Sequence, residues 1–156
     1  MTPGQARLLK FLVVGGSGVP VNLACVYLTT FVLRASLGVG ARDAMAYIIG
    51  IVVSILTNFL LNNAWTWADR AAAAGSFLAR LAKFYLVSAV AAVIQFGTAV
   101  LLSQLLRGTQ FFGRPLHGEY RPYHVVAPLA GIILGLAINF VANNLWTFRR
   151  QRQEKP

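Results

Sequence analysis

Four long stretches without a charged residue constrain this chain more than any other feature. They cover residues 11–33, 44–68, 84–106 and 125–148, and each contains 23 to 25 residues. At about 1.5 Å per residue, a helix of this length crosses a hydrocarbon core of ~30 Å and satisfies its own backbone hydrogen bonds there. The sequence therefore predicts an all-α membrane protein with four transmembrane helices, and a soluble enzyme is nearly excluded.

The charged residues are mostly basic and lie between the apolar stretches. Lys and Arg number 14 against four Asp and Glu, which gives a formal net charge of +10. Because of this placement we expect anionic membrane lipids as partners, and no nucleic acid. Nine of the 14 cations fall on the side of both termini, which favours cytoplasmic termini in the cytoplasmic (inner) membrane. Without the C-terminal tail the two sides carry five cations each.

The chain repeats itself. The pattern Arg-x-x-Lys-Phe occurs at 7–11 and again at 80–84, and the pattern Asn-Phe-x-x-Asn-Asn-x-Trp-Thr-aromatic occurs at 58–67 and again at 139–148. Each repeat, 7–68 and 80–148, holds two predicted spans, so the two repeats should run parallel within one domain, followed by a basic tail at 149–156. The segment 70–82 between them is predicted to form a short interfacial helix.

The candidate binding residues share two properties: they are polar or aromatic, and each has a counterpart in the other repeat. Those of the first repeat are Arg7, Lys10, Asn22, Asn58, Asn62, Asn63 and Trp65, and those of the second are Arg80, Lys83, Gln95, Asn139, Asn143, Asn144 and Trp146. The i, i+4, i+7 spacing of Asn58, Asn62 and Trp65 predicts one shared helix face. Around a pseudo-two-fold axis, the two sets would form one cationic vestibule suited to a phosphate and a sugar.

Ordinary membrane anchoring is the alternative interpretation of each residue taken singly. Asn and Gln within spans often hydrogen-bond neighbouring helices, and Trp65, Trp67 and Trp146 fit an interfacial aromatic belt. All four acidic residues lie at span edges or outside, so a proton-driven exporter of small solutes lacks its titratable group. His117 and His124 show no metal-ligand spacing, and we predict neither metal nor cofactor.

Both repeated patterns resemble the GtrA-like family of small four-span membrane proteins, whose domain also occurs fused to dolichol-phosphate mannose synthase-like enzymes. The resemblance covers nearly the whole chain. It implies movement of a polyprenyl-phosphate-linked monosaccharide across the cytoplasmic membrane for cell-surface polysaccharide glycosylation. It also implies a polyprenyl-phosphate lipid, or its glycosylated form, as the ligand.

Two functions follow as hypotheses. The first is a flippase, not an enzyme, in which the phosphate is held by Arg7, Lys10, Arg80 and Lys83. The two Asn clusters would contact the phosphate or the sugar, and Trp65 and Trp146 would pack on the sugar or set the membrane interface. The second is a non-transporting membrane anchor or assembly subunit for a glycosyltransferase, which is an expected partner under both hypotheses. Four spans enclose little volume, so a homodimer is a further hypothesis.

Overall fold

Four long helices contain the four apolar stretches. The computed structural model describes residues 1–115 and 121–150, with helices α1 (Pro3–Leu33), α2 (Val39–Leu61), α3 (Ala68–Ala71), α4 (Phe77–Arg107) and α5 (Tyr123–Ala142). α2 continues into a first π-helical turn, Asn62–Thr66, and α5 into a second, Asn143–Thr147. With these turns included, α1, α2, α4 and α5 are each long and apolar enough to cross a membrane. The predicted four-helix membrane fold is confirmed. His117 and the tail residues 151–156 lie outside the described residues.

α1 begins eight residues before its uncharged stretch because its first turn is capped. The Gln5 N–H donates to Thr2 Oγ1 at 3.3 Å, and the Thr2 N–H donates to Gln5 Oε1 at 2.8 Å. Pro3 occupies the first turn, where its missing N–H costs no hydrogen bond. Arg7 and Lys10 therefore lie inside the helix, one turn apart on neighbouring positions of its surface.

α4 begins at Phe77, which makes the predicted interfacial helix over 70–82 wrong. Ser76 caps α4, since the Ala79 N–H donates to Ser76 Oγ at 3.2 Å. α3 is a single helical turn, and the chain reverses at Gly75, whose φ of 90° suits glycine. The second half of the predicted interfacial segment is thus the start of the third membrane helix.

Two compact units make up the described chain: residues 1–82 with 148–150, and residues 83–147. In the first unit, α1 packs along α2, and a Cβ at Gly50 would lie 3.0 Å from Asn22 Nδ2. In the second unit, a Cβ at Gly135 would lie 3.1 Å from Gln95 Oε1, and one at Gly131 would overlap the Gln95 carbonyl oxygen. Each unit therefore uses glycine to bring a helix against a polar side chain. The parallel two-repeat arrangement stays a prediction.

An aromatic cluster forms the core of the first unit. Trp67 and Phe148 stack with ring centroids 4.6 Å apart and an interplanar angle of 3°, and Phe11 meets Trp67 edge-on at 5.8 Å. Phe59 stacks on Phe148 at 6.4 Å. Trp67, Phe59 and Phe148 are fully buried. The assignment of Trp67 to an interfacial belt is therefore wrong, because its ring is a core side chain.

The first π-helical turn changes which residues share a face. The Trp67 N–H donates to the Asn62 carbonyl at 2.8 Å, a bond from residue i+5 to residue i that adds one residue to the turn. Asn62 and Thr66 are consequently buried, whereas Trp65 is 47% exposed. The face predicted from α-helical spacing for Asn62 and Trp65 is therefore wrong. The second turn repeats the pattern, with Asn143 and Thr147 buried.

Candidate functional site

A cavity of about 270 Å³ lies where α1 begins and the first π-helical turn ends. Its lining residues are Arg7, Lys10, Trp65, Thr66, Ala68 and Asp69, all in the first unit. We call it the cationic cavity. α1 supplies the two cations, one turn apart, and the π-helical turn supplies Trp65 and Thr66. The two ends of the first repeat, which are distant in sequence, thus meet at one site.

Positive charge exceeds negative charge at this cavity. Arg7 Nη2 lies 2.9 Å from Asp69 Oδ2, and Arg70 Nε lies 3.7 Å from the same oxygen. Arg150 Nη2 donates to the Asp69 backbone carbonyl at 3.1 Å. Lys10 lines the same cavity. Among the described residues, four cations therefore lie near one carboxylate. A phosphate is the kind of anion that such a field attracts.

Lys10 and Trp65 form a cation–π pair at the edge of the cavity. Lys10 Nζ lies 5.5 Å from the Trp65 ring centroid, and the ring is about half exposed. The second unit contains the same pair, with Lys83 Nζ 5.4 Å from the centroid of the half-exposed Trp146 ring. In each unit an ammonium group therefore lies over a half-exposed aromatic ring, and this pairing of a cation with an aromatic surface suits a phosphate joined to a sugar.

Buried polar atoms without partners line the inner faces of the two π-helical turns. Neither side-chain polar atom of Asn62 has a hydrogen-bond partner, nor has Thr66 Oγ1. In the second unit, Asn143 Nδ2 donates to the Asn139 carbonyl at 2.9 Å and to Asn139 Oδ1 at 2.5 Å, while Thr147 Oγ1 has no partner. Unpartnered buried groups carry a desolvation cost. π-helical turns occur frequently at functional sites, which makes both turns candidates for such a site.

Arg80 has surroundings unlike those of its counterpart Arg7. It is 7% exposed, its Nε donates to Asn63 Oδ1 at 3.1 Å, and its Nη1 donates to the Gly75 carbonyl. Its guanidinium also lies 6.0 Å from the Phe77 ring centroid. Arg7, by contrast, reaches the cationic cavity and keeps a buried Nε without a partner. Sequence duplication therefore does not give the two arginines the same contacts.

The remaining predicted residues lie along the spans. Asn22 and Asn58 line a second cavity between α1 and α2, and Gln95 packs against glycines of α5. Asn139 accepts hydrogen bonds from Asn143, and Asn144 is half-buried. The structure thus brings Arg7, Lys10 and Trp65 together at one cavity. The other predicted residues meet only in pairs, such as Lys83 with Trp146, or lie along the helices.

A larger cavity, of about 640 Å³, lies in the second unit at the connection between α4 and α5. Its lining is mostly apolar and includes Phe111, Phe112 and Pro122, with Arg114 as its one cation among the described lining residues. One cation among apolar groups suits a phosphate less well than the cationic cavity does.

The sequence patterns do not single out four residues that line the cationic cavity or contact its lining: Thr66, Asp69, Arg70 and Arg150. Thr66 belongs to the repeated pattern, so the repeat itself was a signal for it. Asp69 directly follows the pattern and is one of only four acidic residues in the chain. Its pairing with Arg7, 62 residues away, depends on how α1 meets the π-helical turn.

A family model described as GtrA/DPMS, transmembrane domain, matches residues 10–148. The chain belongs to this family. The matched region starts at Lys10 and ends at Phe148, so it includes both copies of the Asn/Trp pattern. Membership of this GtrA/DPMS family confirms the resemblance seen in the sequence, and the chain is a multi-pass membrane protein.

A named relative of this GtrA/DPMS domain is the dolichol-phosphate mannosyltransferase of Pyrococcus furiosus. It is 32% identical over 137 residues, which cover 88% of this chain and 32% of the relative. The chain therefore spans about a third of the length of the curated relative that it matches.

Proposed function

We propose that this chain binds a polyprenyl-phosphate-linked monosaccharide at the cationic cavity and moves it across the membrane. The observation that carries the proposal is the position of Arg7 and Lys10, beside the half-exposed Trp65, at one end of a membrane-crossing helix pair. Family membership supports the class of ligand. The relative from Pyrococcus furiosus is named a dolichol-phosphate mannosyltransferase, and this name contains both a lipid phosphate and a mannosyl group.

Each side chain has a distinct task under this proposal. Arg7 and Lys10 bind the phosphate, since guanidinium and ammonium groups donate charge-assisted hydrogen bonds to phosphate oxygens. The exposed face of Trp65 packs on the sugar, and Thr66 supplies a hydroxyl. Asn62 is buried in the same π-helical turn with both amide atoms unpartnered, and it receives a polar group when the site is occupied. The polyprenyl tail stays in the surrounding lipid.

The second unit contributes a related set. Lys83 and Trp146 repeat the cation–π pair, and Asn139, Asn143 and Asn144 repeat the amides. We include these residues in the substrate pathway. Arg80 acts by holding Asn63 and the turn at Gly75, because its hydrogen bonds already go to them.

The charge pattern and the family support a proposed location and proposed partners. We propose that the protein resides in the cytoplasmic membrane with both termini in the cytoplasm, where the excess of Lys and Arg favours them. It acts there without catalysing glycosyl transfer. A membrane glycosyltransferase supplies its lipid-linked sugar, and a homodimer is the simplest assembly that encloses more volume than four helices do.

A second candidate function is that of a membrane anchor or assembly subunit for a glycosyltransferase. The specific observation in its favour is that the chain matches only 32% of the length of a mannosyltransferase. In that case the cationic cavity would hold the lipid phosphate at the membrane surface for an enzyme, with no movement across the bilayer.

Liposomes containing only this protein distinguish the two functions. The measurement is the rate at which a fluorescent polyprenyl-phosphate hexose moves between leaflets. We expect movement faster than in empty liposomes, and loss of most of it in Lys10→Gln. Arg34→Gln is the matched control, because Arg34 forms a similar cation–π pair with Phe31 at the other end of α1 (4.4 Å). Bound lipid without any movement, with folded protein, would favour the anchoring function.

A further inference from the structure

A second cavity, of about 260 Å³, lies between α1 and α2 in the first unit. It is lined by Gly15, Gly18, Asn22, Ser54 and Asn58 together with two apolar side chains. Along the axis of α1, Gly15 lies ~7.5 Å beyond Lys10 and Asn22 lies ~18 Å beyond it, at about 1.5 Å per residue. In a hydrocarbon core of ~30 Å, this places the cavity near the middle of the membrane.

Two glycines on α1 create the space. A Cβ at Gly18 would lie 2.6 Å from Asn58 Nδ2, so only glycine lets the amide approach the helix there. A Cβ at Gly15 would meet no atom within 4 Å. The volume beside Gly15 is therefore open, and that beside Gly18 holds the Asn58 amide.

The lining includes three polar side chains, Asn22, Ser54 and Asn58, but no charged one. Asn58 Oδ1 is buried without a hydrogen-bond partner. The Ser54 hydroxyl donates to the Ile51 carbonyl at 3.0 Å and keeps its acceptor capacity. An unpartnered amide oxygen is costly at membrane depth, and a ligand hydroxyl would remove that cost by donating to it. None of the lining residues is Lys, Arg, Asp or Glu, so the cavity matches hydroxyl groups rather than a phosphate.

We propose that this cavity, which we call the mid-membrane cavity, is a transit site for an uncharged sugar. The inference rests on the proposed function and names the substrate class. With the phosphate on Arg7 and Lys10, the sugar enters the membrane ahead of it, since the nearest lining residue lies only ~7.5 Å further along α1. Asn22 and Asn58 then replace the water that the sugar hydroxyls lose. A charged sugar finds no counter-charge among the lining residues.

Adjacent glycines provide a matched pair of variants. Gly15→Leu fills the mid-membrane cavity with an apolar side chain, whereas Gly16→Leu adds the same side chain at an exposed position that does not line it. Neither position has an atom within 4 Å of a Cβ, so both variants should fold. We expect Gly15→Leu to slow movement of a polyprenyl-phosphate hexose at least tenfold, with equilibrium binding unchanged within twofold. Gly16→Leu should keep the wild-type rate.

The unmodified protein supplies the second measurement. A polyprenyl-phosphate-linked uronic acid should bind with similar affinity but move at least tenfold more slowly than the neutral hexose. If Gly15→Leu and Gly16→Leu move the neutral hexose at equal rates, the mid-membrane cavity is not a transit site. The same holds if the unmodified protein moves the uronic acid as fast as the hexose. Either result would leave transport itself intact. If the wild-type protein moves neither lipid, the proposed function itself fails, and this inference fails with it.

Discussion

Among the described residues, Asp69 is the one carboxylate that lines the cationic cavity, and replacing it tests how a phosphate would bind there. In the structure its Oδ2 accepts a hydrogen bond from Arg7 Nη2 at 2.9 Å, so the carboxylate competes with an incoming phosphate for the guanidinium. Asp69→Asn removes the negative charge but keeps the size and shape of the side chain. We expect the variant to bind a polyprenyl-phosphate sugar more tightly and to release it more slowly.

The size of the effect follows from the exposure of the ion pair. The Asp69 side chain is 51% exposed, which screens the pair, while that of Arg7 is only 15% exposed. Exposed ion pairs contribute about 0.2–1 kcal/mol, and the burial of Arg7 places this pair near the upper end of that range. A difference of about 1 kcal/mol corresponds to roughly fivefold in affinity. We therefore expect about three- to fivefold tighter binding at low salt and a smaller difference at high salt.

The assay is equilibrium binding of a fluorescent polyprenyl-phosphate hexose to protein in nanodiscs. Asp43→Asn is the matched control, since Asp43 pairs with Arg42 at 3.0 Å at the start of α2, away from the cavity. Weaker binding in Asp69→Asn than in the control would refute the reasoning. It would mean that the carboxylate positions Arg7 or contacts the sugar, rather than competing with the phosphate.

Three further predictions concern stability, measured as unfolding in detergent. Trp67→Ala should lose about 3–5 kcal/mol, because it leaves a large void in the aromatic core, and an unchanged midpoint would contradict that core. Gly75→Ala should cost about 1 kcal/mol or more, since alanine is strained at a φ of 90°. Gly131→Ala should lower the unfolding temperature, as its Cβ overlaps the Gln95 carbonyl, whereas Gly97→Ala, with nothing within 4 Å, should not.

The membrane fold could be predicted from the sequence because it depends on one local property, the absence of charge over long stretches. The helix starts could not be predicted in the same way. α1 reaches back to Pro3 because Thr2 and Gln5 cap it reciprocally, and α4 reaches back to Phe77 because Ser76 caps it. Caps stabilise a helix through its polar first turn, which hydropathy does not register.

The site was predictable in its members but not in its contacts. Arg7, Lys10 and Trp65 stood out because each has a counterpart in the repeat, and the structure places them around one cavity. Their partner Asp69 was not found, since its pairing with Arg7 depends on tertiary packing. The π-helical turn is the other reason why the contacts could not be predicted. An i+5 bond rotates Trp65 away from Asn62, and α-helical spacing gives the wrong face for any residue beyond such a turn.

The two arginines at the helix starts also have equivalent positions in the sequence but different contacts in the structure. Arg7 and Arg80 occupy equivalent positions in the repeated pattern, and sequence alone gives them equal tasks. In the structure Arg80 is taken up by Asn63 and the Gly75 carbonyl, whereas Arg7 pairs with a half-exposed carboxylate. The residues after the patterns decide this, because Asp69 is matched in the second repeat by Arg150.

Photo-crosslinking directly tests whether the cationic cavity binds the lipid-linked sugar. The probe is a polyprenyl-phosphate hexose with a diazirine on the sugar, applied to the protein in membranes and mapped by mass spectrometry. We expect label on Trp65 and its neighbours through Asp69, and we expect unlabelled lipid to compete it away and Lys10→Gln to reduce it. Competed label confined to the cavity around Phe111 and Arg114, with none near Trp65, would contradict it.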